Sequence, residues 1–150
     1  AYLYLSMANY YNEEGLSGFG NWFTIQAQEE RDHAMLFLEY LQNNGAHVEL
    51  KTVEAPKKKF KEFKDPLDES LKHERYVTAS IHNIYAAASK VKDFRTMQFL
   101  DWFVKEQGEE EKTAEDLIKK LELFGQDGKG LYMLDSELAS RTYSAPTLTL

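Results

Sequence analysis

Glu30 and His33 stand one helical turn apart in the stretch Ala27-Gln28-Glu29-Glu30-Arg31-Asp32-His33, on the same stripe as Phe23, Phe37 and Tyr40. A carboxylate and an imidazole at i, i+3 on a buried helix face are costly unless they pair or hold a metal ion. Two further stretches repeat the pattern. Glu74 interrupts an apolar ladder of Leu67, Leu71, Ile81 and Ala88, and Gln107 and Glu110 share a stripe with Leu100, Phe103, Ala114, Leu117 and Leu121. Carboxylate and imidazole donors suit Fe(II) and Fe(III), a bridging carboxylate holds two ions close together, and open positions admit O2. Helical bundles that bind two irons use this donor set, with carboxylates from facing helices and Glu-x-x-His pairs projecting inward.

Taken singly, each feature has a plainer explanation. A lone Glu-x-x-His on an acidic helix is more often a surface pair. Glu74 faces inward in only one helical phase, and Gln107 and Glu110 adjoin the run Glu109-Glu110-Glu111, a composition typical of a solvated face. Together they require a polar group in the apolar stripe of three separate helices, and that coincidence selects a dinuclear metal site. Tyr4 and Trp102 fall at the depth of these residues; core packing is the ordinary role for each, and electron donation during O2 reduction is the chemical one. Glu29, Glu106 and Glu109 flank the inner residues and form either a third, looser iron site or a wet acidic patch. His73 adjoins Glu74 but points about 100° away, toward the surface or the outer surroundings of the metal ligands. His47 and His82 are incidental.

The elements that must position these residues are helices. Residues 1–12 read as the end of an amphipathic helix, broken at 12–15, with Gly15 as the turn signal. A long helix follows over about 16–43, with an inner face of Phe19, Phe23, Gln26, Glu30, His33, Phe37 and Tyr40. Gly18 and Gly20 weaken its first turns, and Gly45 closes it. The connection 46–66 contains a stretch, 47–50, that is extended in this reading, and an exposed Lys57-Lys58-Lys59. A helix of about 28 residues rises about 42 Å, a length that about twenty extended residues can span. The next helix can therefore run parallel to the last. It starts at Asp65-Pro66 and continues to about 91, with Glu74 followed inward by Val77 or Thr78, then Ile81, then Ile84 or Tyr85. After a break near Lys92-Asp93, a fourth helix covers about 95–124. Gly125, Gly128 and Gly130 interrupt the chain, a short fifth helix covers 131–139, and 140–150 is irregular. The fold class is all-α, a four-helix bundle over 1–124 with a long crossover between helices two and three, all within one domain of 1–150.

Composition narrows the function. The 150 residues carry a formal net charge of -7, which argues against a nucleic-acid partner and suits cation attraction or simple solubility. With no cysteine, neither a disulfide framework nor a thiolate metal site is available. No apolar run approaches a membrane span and no secretory signal opens the chain, so a cytoplasmic location is the expectation.

The stretches 27–33, Lys72-His73-Glu74, 102–112 (from Trp102-Phe103 through Glu109-Glu110-Glu111 to Lys112) and Gly130-Leu131-Tyr132 together resemble the non-haem ferritins of bacteria and archaea over essentially the whole chain. That resemblance implies a ferroxidase subunit of a hollow homo-oligomeric shell of 24 copies, oxidising Fe(II) with O2 and storing a hydrated ferric oxide. It makes Glu30 the bridging carboxylate and His33 the ligand of the first iron. Glu74 and Glu110 would hold the second iron, with Gln107 nearby, and Glu29, Glu106 and Glu109 would form an extra iron site. Other divalent metals can substitute for iron at such donors. The short fifth helix would line a fourfold axis.

Departures from the pattern carry their own expectations. Haem-containing relatives place a second Glu-x-x-His on the fourth helix and a haem-ligating Met beside the helix-two Glu; here stand Gln107-x-x-Glu110 and Arg31, so no haem is expected. The acidic positions of animal threefold channels correspond to Met97 and Leu100. The family's first helix begins before the position of Ala1 and supplies a glutamate to the first iron, with Tyr4 matching a tyrosine near it. Either the sequence lacks its start, or it is a truncated form whose first site is weakly occupied and slow. The rival readings are a shell protein with an impaired site and a di-iron oxidoreductase of the rubrerythrin kind, whose rubredoxin-like centre needs the cysteines this chain lacks.

Overall fold

Five α-helices and no strand are found among the described residues, 1–56 and 59–150, of the computed structural model. They are α1 (Tyr2–Glu13), α2 (Ser17–Asn43), α3 (Asp65–Lys90), α4 (Phe94–Phe124) and α5 (Gly128–Leu138). They form two compact units, one of Ala1–Phe60 with Asp127–Leu150, the other of Lys61–Gln126. The all-α expectation holds, and the connection after α2 has no helix or strand among its described residues. Lys59 is exposed as expected, while Lys57 and Lys58 lie outside the described residues. No helix among the described residues is long and apolar enough to cross a membrane.

In the first unit, α1 buries Tyr4, Met7, Ala8 and Tyr11, the spacing of a single apolar stripe. Tyr11 stacks on Phe19 and Phe23 of α2, with ring centroids 4.8 and 5.5 Å apart. Aromatic pairs of this kind contribute about 0.5–1.5 kcal/mol beyond their buried area. The start of α2 has no side-chain cap of its own. Instead Asp135 of α5 accepts the Phe19 amide through Oδ1 at 2.9 Å. Gly18 makes that approach possible, because a Cβ there would stand 1.7 Å from the Asp135 carbonyl oxygen. The glycine that weakens the helix in isolation is thus required by the packing. At its other end α2 closes as expected: Gly45 takes φ +68, its amide donates to Gln42 O at 3.0 Å and that of Ala46 to Leu41 O at 2.9 Å. Those paired bonds satisfy carbonyls that the helix end would otherwise leave open.

The fifth helix starts at Gly128, three residues before the expected start at Leu131. The reason is Asp127, whose Oδ1 accepts the amides of Lys129 and Gly130, each at 2.9 Å. A side-chain cap offsets the poor helix propensity of two glycines in the first turn.

In the second unit, α3 and α4 pack along their buried stripes. Pro66 sits in the first turn of α3, where its missing N–H is harmless. Asp93 caps α4 by accepting the Thr96 amide at 3.1 Å, so the helix begins at Phe94 rather than Arg95. Lys92, at φ 60, makes the turn between the two helices. Ile84 is 44% exposed, whereas Tyr85 is half-buried and donates its hydroxyl to Asp101 at 3.0 Å. The inner position of that turn is therefore Tyr85. Arg75 to Glu115 at 3.0 Å adds an exposed tie between the helices, and Lys64, just before α3, adds another to Glu122 at 2.7 Å, of the kind worth little individually.

Candidate metal centre

Each unit carries its own inward polar group. In the first, α2 buries Gln26 and His33 in line with Phe19 and Phe23. His33 is 8% exposed, and its Nδ1 stands 3.6 Å from Glu30 Oε2. Gln26 Nε2 lies 3.5 Å from the other carboxylate oxygen, Glu30 Oε1. Phe37 and Tyr40, further along the stripe, are half-buried. Tyr4 is buried on α1 with its ring stacked on Phe23, centroids 5.9 Å apart.

In the second unit, Glu74 is 2%, Gln107 3% and Glu110 9% exposed. The Gln107 amide bridges to α3: its Nε2 donates to Glu74 Oε2 at 3.1 Å, to the Glu74 carbonyl at 3.2 Å and to Thr78 Oγ1 at 3.4 Å. Thr78 in turn donates to Glu111 at 2.6 Å. The acidic run 109–111 is therefore split. Glu110 points inward, Glu109 is exposed beside Lys105 at 3.5 Å, and Glu111 joins the rim of the α3–α4 contact. Glu110 is buried, as a residue of a solvated face would not be, while Glu109 is exposed.

The flanking residues behave unequally. Glu106 and Trp102 are half-buried, with Trp102 edge-on to Phe103 at 4.9 Å. His73 is half-buried against Tyr76, and His47 and His82 are exposed. Glu29 is tied to Arg141, its Oε2 2.5 Å from the guanidinium Nη2. Burial pushes the Glu29 carboxyl above its ordinary range, and the Arg141 charge opposes that rise. Arg141 carries no functional signal in the sequence. It lies in an irregular tail with no periodicity, and only its charge next to an acidic helix face would have marked it.

Among the described residues, no three His, Asp or Glu side chains converge closely enough to enclose a metal ion. What the structure brings together is Glu30 with His33, and Glu74 with Gln107. The chemistry of these groups fits iron. Carboxylate and imidazole are suitable donors for Fe(II) and Fe(III). Burying carboxylates as deeply as Glu74 and Glu110 is unfavourable, and a divalent cation would offset that penalty. The neutral amide of Gln107 orients the Glu74 carboxylate without cancelling its charge.

The comparisons with known proteins agree on one family. A family model described as a ferritin-like domain matches residues 1–124. The chain is 39% identical over 143 residues to a bacterial non-heme ferritin of Staphylococcus aureus, covering 95% of this chain and 86% of the relative. It is 38% identical over the same span to that of Staphylococcus haemolyticus. Among solved structures, a closed form of the Archaeoglobus fulgidus ferritin engineered by site-directed mutagenesis is similar with a TM-score of 0.92 and 42% identity, covering 95% of this chain and 87% of that one. The open-pore ferritin of the same hyperthermophilic archaeon gives 0.91 and 42%, with coverage of 94% and 87%.

Proposed function

The chain belongs to the ferritin family, and on that basis we propose that it oxidises Fe(II) with O2 and stores the product as a ferric mineral inside a hollow shell of 24 copies. Its fold is the ferritin-like four-helix bundle with a short C-terminal helix. The observation that carries the reading is the burial of His33, Glu74, Gln107 and Glu110 in the apolar stripes of their helices. In this reading 1–150 is a single di-iron domain of a cytoplasmic protein.

By the family resemblance Glu30 and His33 would hold iron on α2, with Glu30 in the role of the bridging carboxylate, and Glu74 and Glu110 would hold iron on the α3–α4 pair. Gln107 holds Glu74 in place from the side. By the same resemblance Glu29, Glu106 and Glu109 would each be ligands of looser iron, and Tyr4 would be an electron donor for any reduction of O2 beyond the two electrons the irons supply. Two Fe(II) ions give two electrons to O2, which takes up two protons and leaves as hydrogen peroxide. The Fe(III) ions hydrolyse to ferric oxyhydroxide and release protons. Anionic oxygen donors favour the more highly charged Fe(III), so the carboxylates lower the cost of oxidation.

The reading is tested by adding Fe(II) in air while following near-ultraviolet absorbance in stopped flow. Size-exclusion chromatography with an iron assay on the eluted protein completes the test. A fast rise, and a large particle carrying far more iron than its dinuclear sites can hold, support the proposal. A large particle with no oxidation above the buffer rate contradicts the ferroxidase claim. A monomer or dimer contradicts storage.

A further inference from the structure

Arg141 lies beyond the end of α5, yet its guanidinium is seated on the middle of α2. Nη1 donates to Gln26 Oε1 at 2.9 Å and to the Trp22 carbonyl at 3.2 Å, and Nη2 donates to Glu29 Oε2 at 2.5 Å. The guanidinium carbon lies 4.3 Å above the Trp22 ring centroid, a cation–π distance. The main chain is fixed as well, because Asn21 Nδ2 donates to the Arg141 carbonyl at 3.1 Å. Every partner belongs to the same compact unit.

The consequence falls on Gln26, which is 1% exposed. Guanidinium is a donor at every nitrogen and an acceptor at none. Gln26 must therefore present its oxygen to Arg141, which leaves its amide nitrogen directed at Glu30 Oε1, 3.5 Å away. The reversed amide would set N–H groups against the guanidinium and an oxygen against the carboxylate. Glu30 Oε2 is then the oxygen that faces His33 Nδ1, at 3.6 Å. We propose that Arg141 is a positioning residue for Glu30, acting through Gln26, so that the C-terminal tail sets the orientation of a metal-binding carboxylate on α2. The inference rests on the assignment of Glu30 and His33 as iron ligands. Lysine lacks the planar fork and cannot hold Gln26 and Glu29 at once in this geometry.

The test is a Co(II) titration of the assembled protein, read by calorimetry and by the visible ligand-field spectrum. Arg141→Ala is expected to weaken Co(II) binding by up to about tenfold, because it acts on Glu30 only through Gln26, the outer hydrogen-bond partner whose loss is on that scale, and to alter the spectrum at saturation. Gln26→Leu is expected to give a comparable loss, and the double variant no more than the larger single loss, because the two residues act in series. Tyr143→Phe removes a neighbouring tail anchor, the 2.6 Å bond to Asp32, and is expected to bind Co(II) as the wild type does. If Arg141→Ala does not assemble, Arg141→Lys serves in its place and is expected to bind more weakly than the wild type. Wild-type affinity and spectrum in the Arg141 variant, additive losses, or an equal loss in Tyr143→Phe would each overturn the proposal while leaving the iron reading intact. A wild-type protein that binds no Co(II) would overturn the ligand assignment itself.

Discussion

Gln107 turns its amide nitrogen onto Glu74, 3.1 Å from the carboxylate and 3.2 Å from the carbonyl of the same residue. One side chain on α4 thus fixes both the backbone and the head group of a buried acid on α3. A glutamate in that place would set two carboxylates against each other, and a histidine would add a further strong metal ligand. The amide does neither.

Replacing Gln107 by Leu should leave Glu74 buried without this donor. The cost of a buried acceptor losing its partner is about 1–3 kcal/mol. Chemical denaturation should show a loss in that range, and stopped-flow oxidation should slow as Glu74 loses its fixed orientation. A variant as stable and as fast as the wild type would show that the contact is incidental.

Gly18→Ala should be destabilising by about 1–3 kcal/mol, the scale of overpacking a well-filled contact. The added methyl group would meet the Asp135 backbone at 1.7 Å, which neither helix can relieve by a rotamer change. Amide exchange should accelerate in α5 and in the first turn of α2, where Phe19 depends on Asp135. Unchanged exchange at Phe19 would contradict the role given to that contact.

The three stripes that carry the inner polar residues are legible from the sequence because buried and exposed positions on these helices follow the 3.6-residue period closely. Gly45 as a helix end and Pro66 as a helix start were legible because each residue has a narrow conformational use. The start of α5 differs from the expectation because glycine propensity alone does not register the cap that Asp127 provides. Gly18 read as a weakness because its benefit lies on another helix, more than a hundred residues away in sequence. The seat of Arg141 on Trp22, Gln26 and Glu29 has the same cause: a tail without periodicity gives no sign of the surface it docks on.

Asp93 is held below the ordinary aspartate range, chiefly by the side-chain and main-chain hydrogen bonds from Thr96. A depressed carboxyl pKa in the folded state contributes stability above the unfolded value of 3.8, and that stability is lost as pH falls through the lowered folded value. Asp93→Ala should therefore melt below the wild type at neutral pH, and the gap should narrow on acidification below the ordinary aspartate range. Melting curves across that window check this, and a gap independent of pH would contradict it.

Asp127→Ala removes the acceptor for the Lys129 and Gly130 amides. The loss of such a cap costs about 1 kcal/mol, and α5 should fray back toward Leu131. Hydrogen exchange at residues 129–131 provides the readout, and protection equal to that of the wild type would count against the cap.

The central claim is that the buried donors of α2, α3 and α4 bind a pair of irons. The most direct measurement is a crystal soaked with Fe(II) without oxygen, with data collected on both sides of the iron absorption edge. The account predicts two anomalous peaks, one bound by His33 and Glu30 and the other by Glu110 and Glu74. Iron found only on exposed carboxylates, with none at His33 or Glu74, would contradict it.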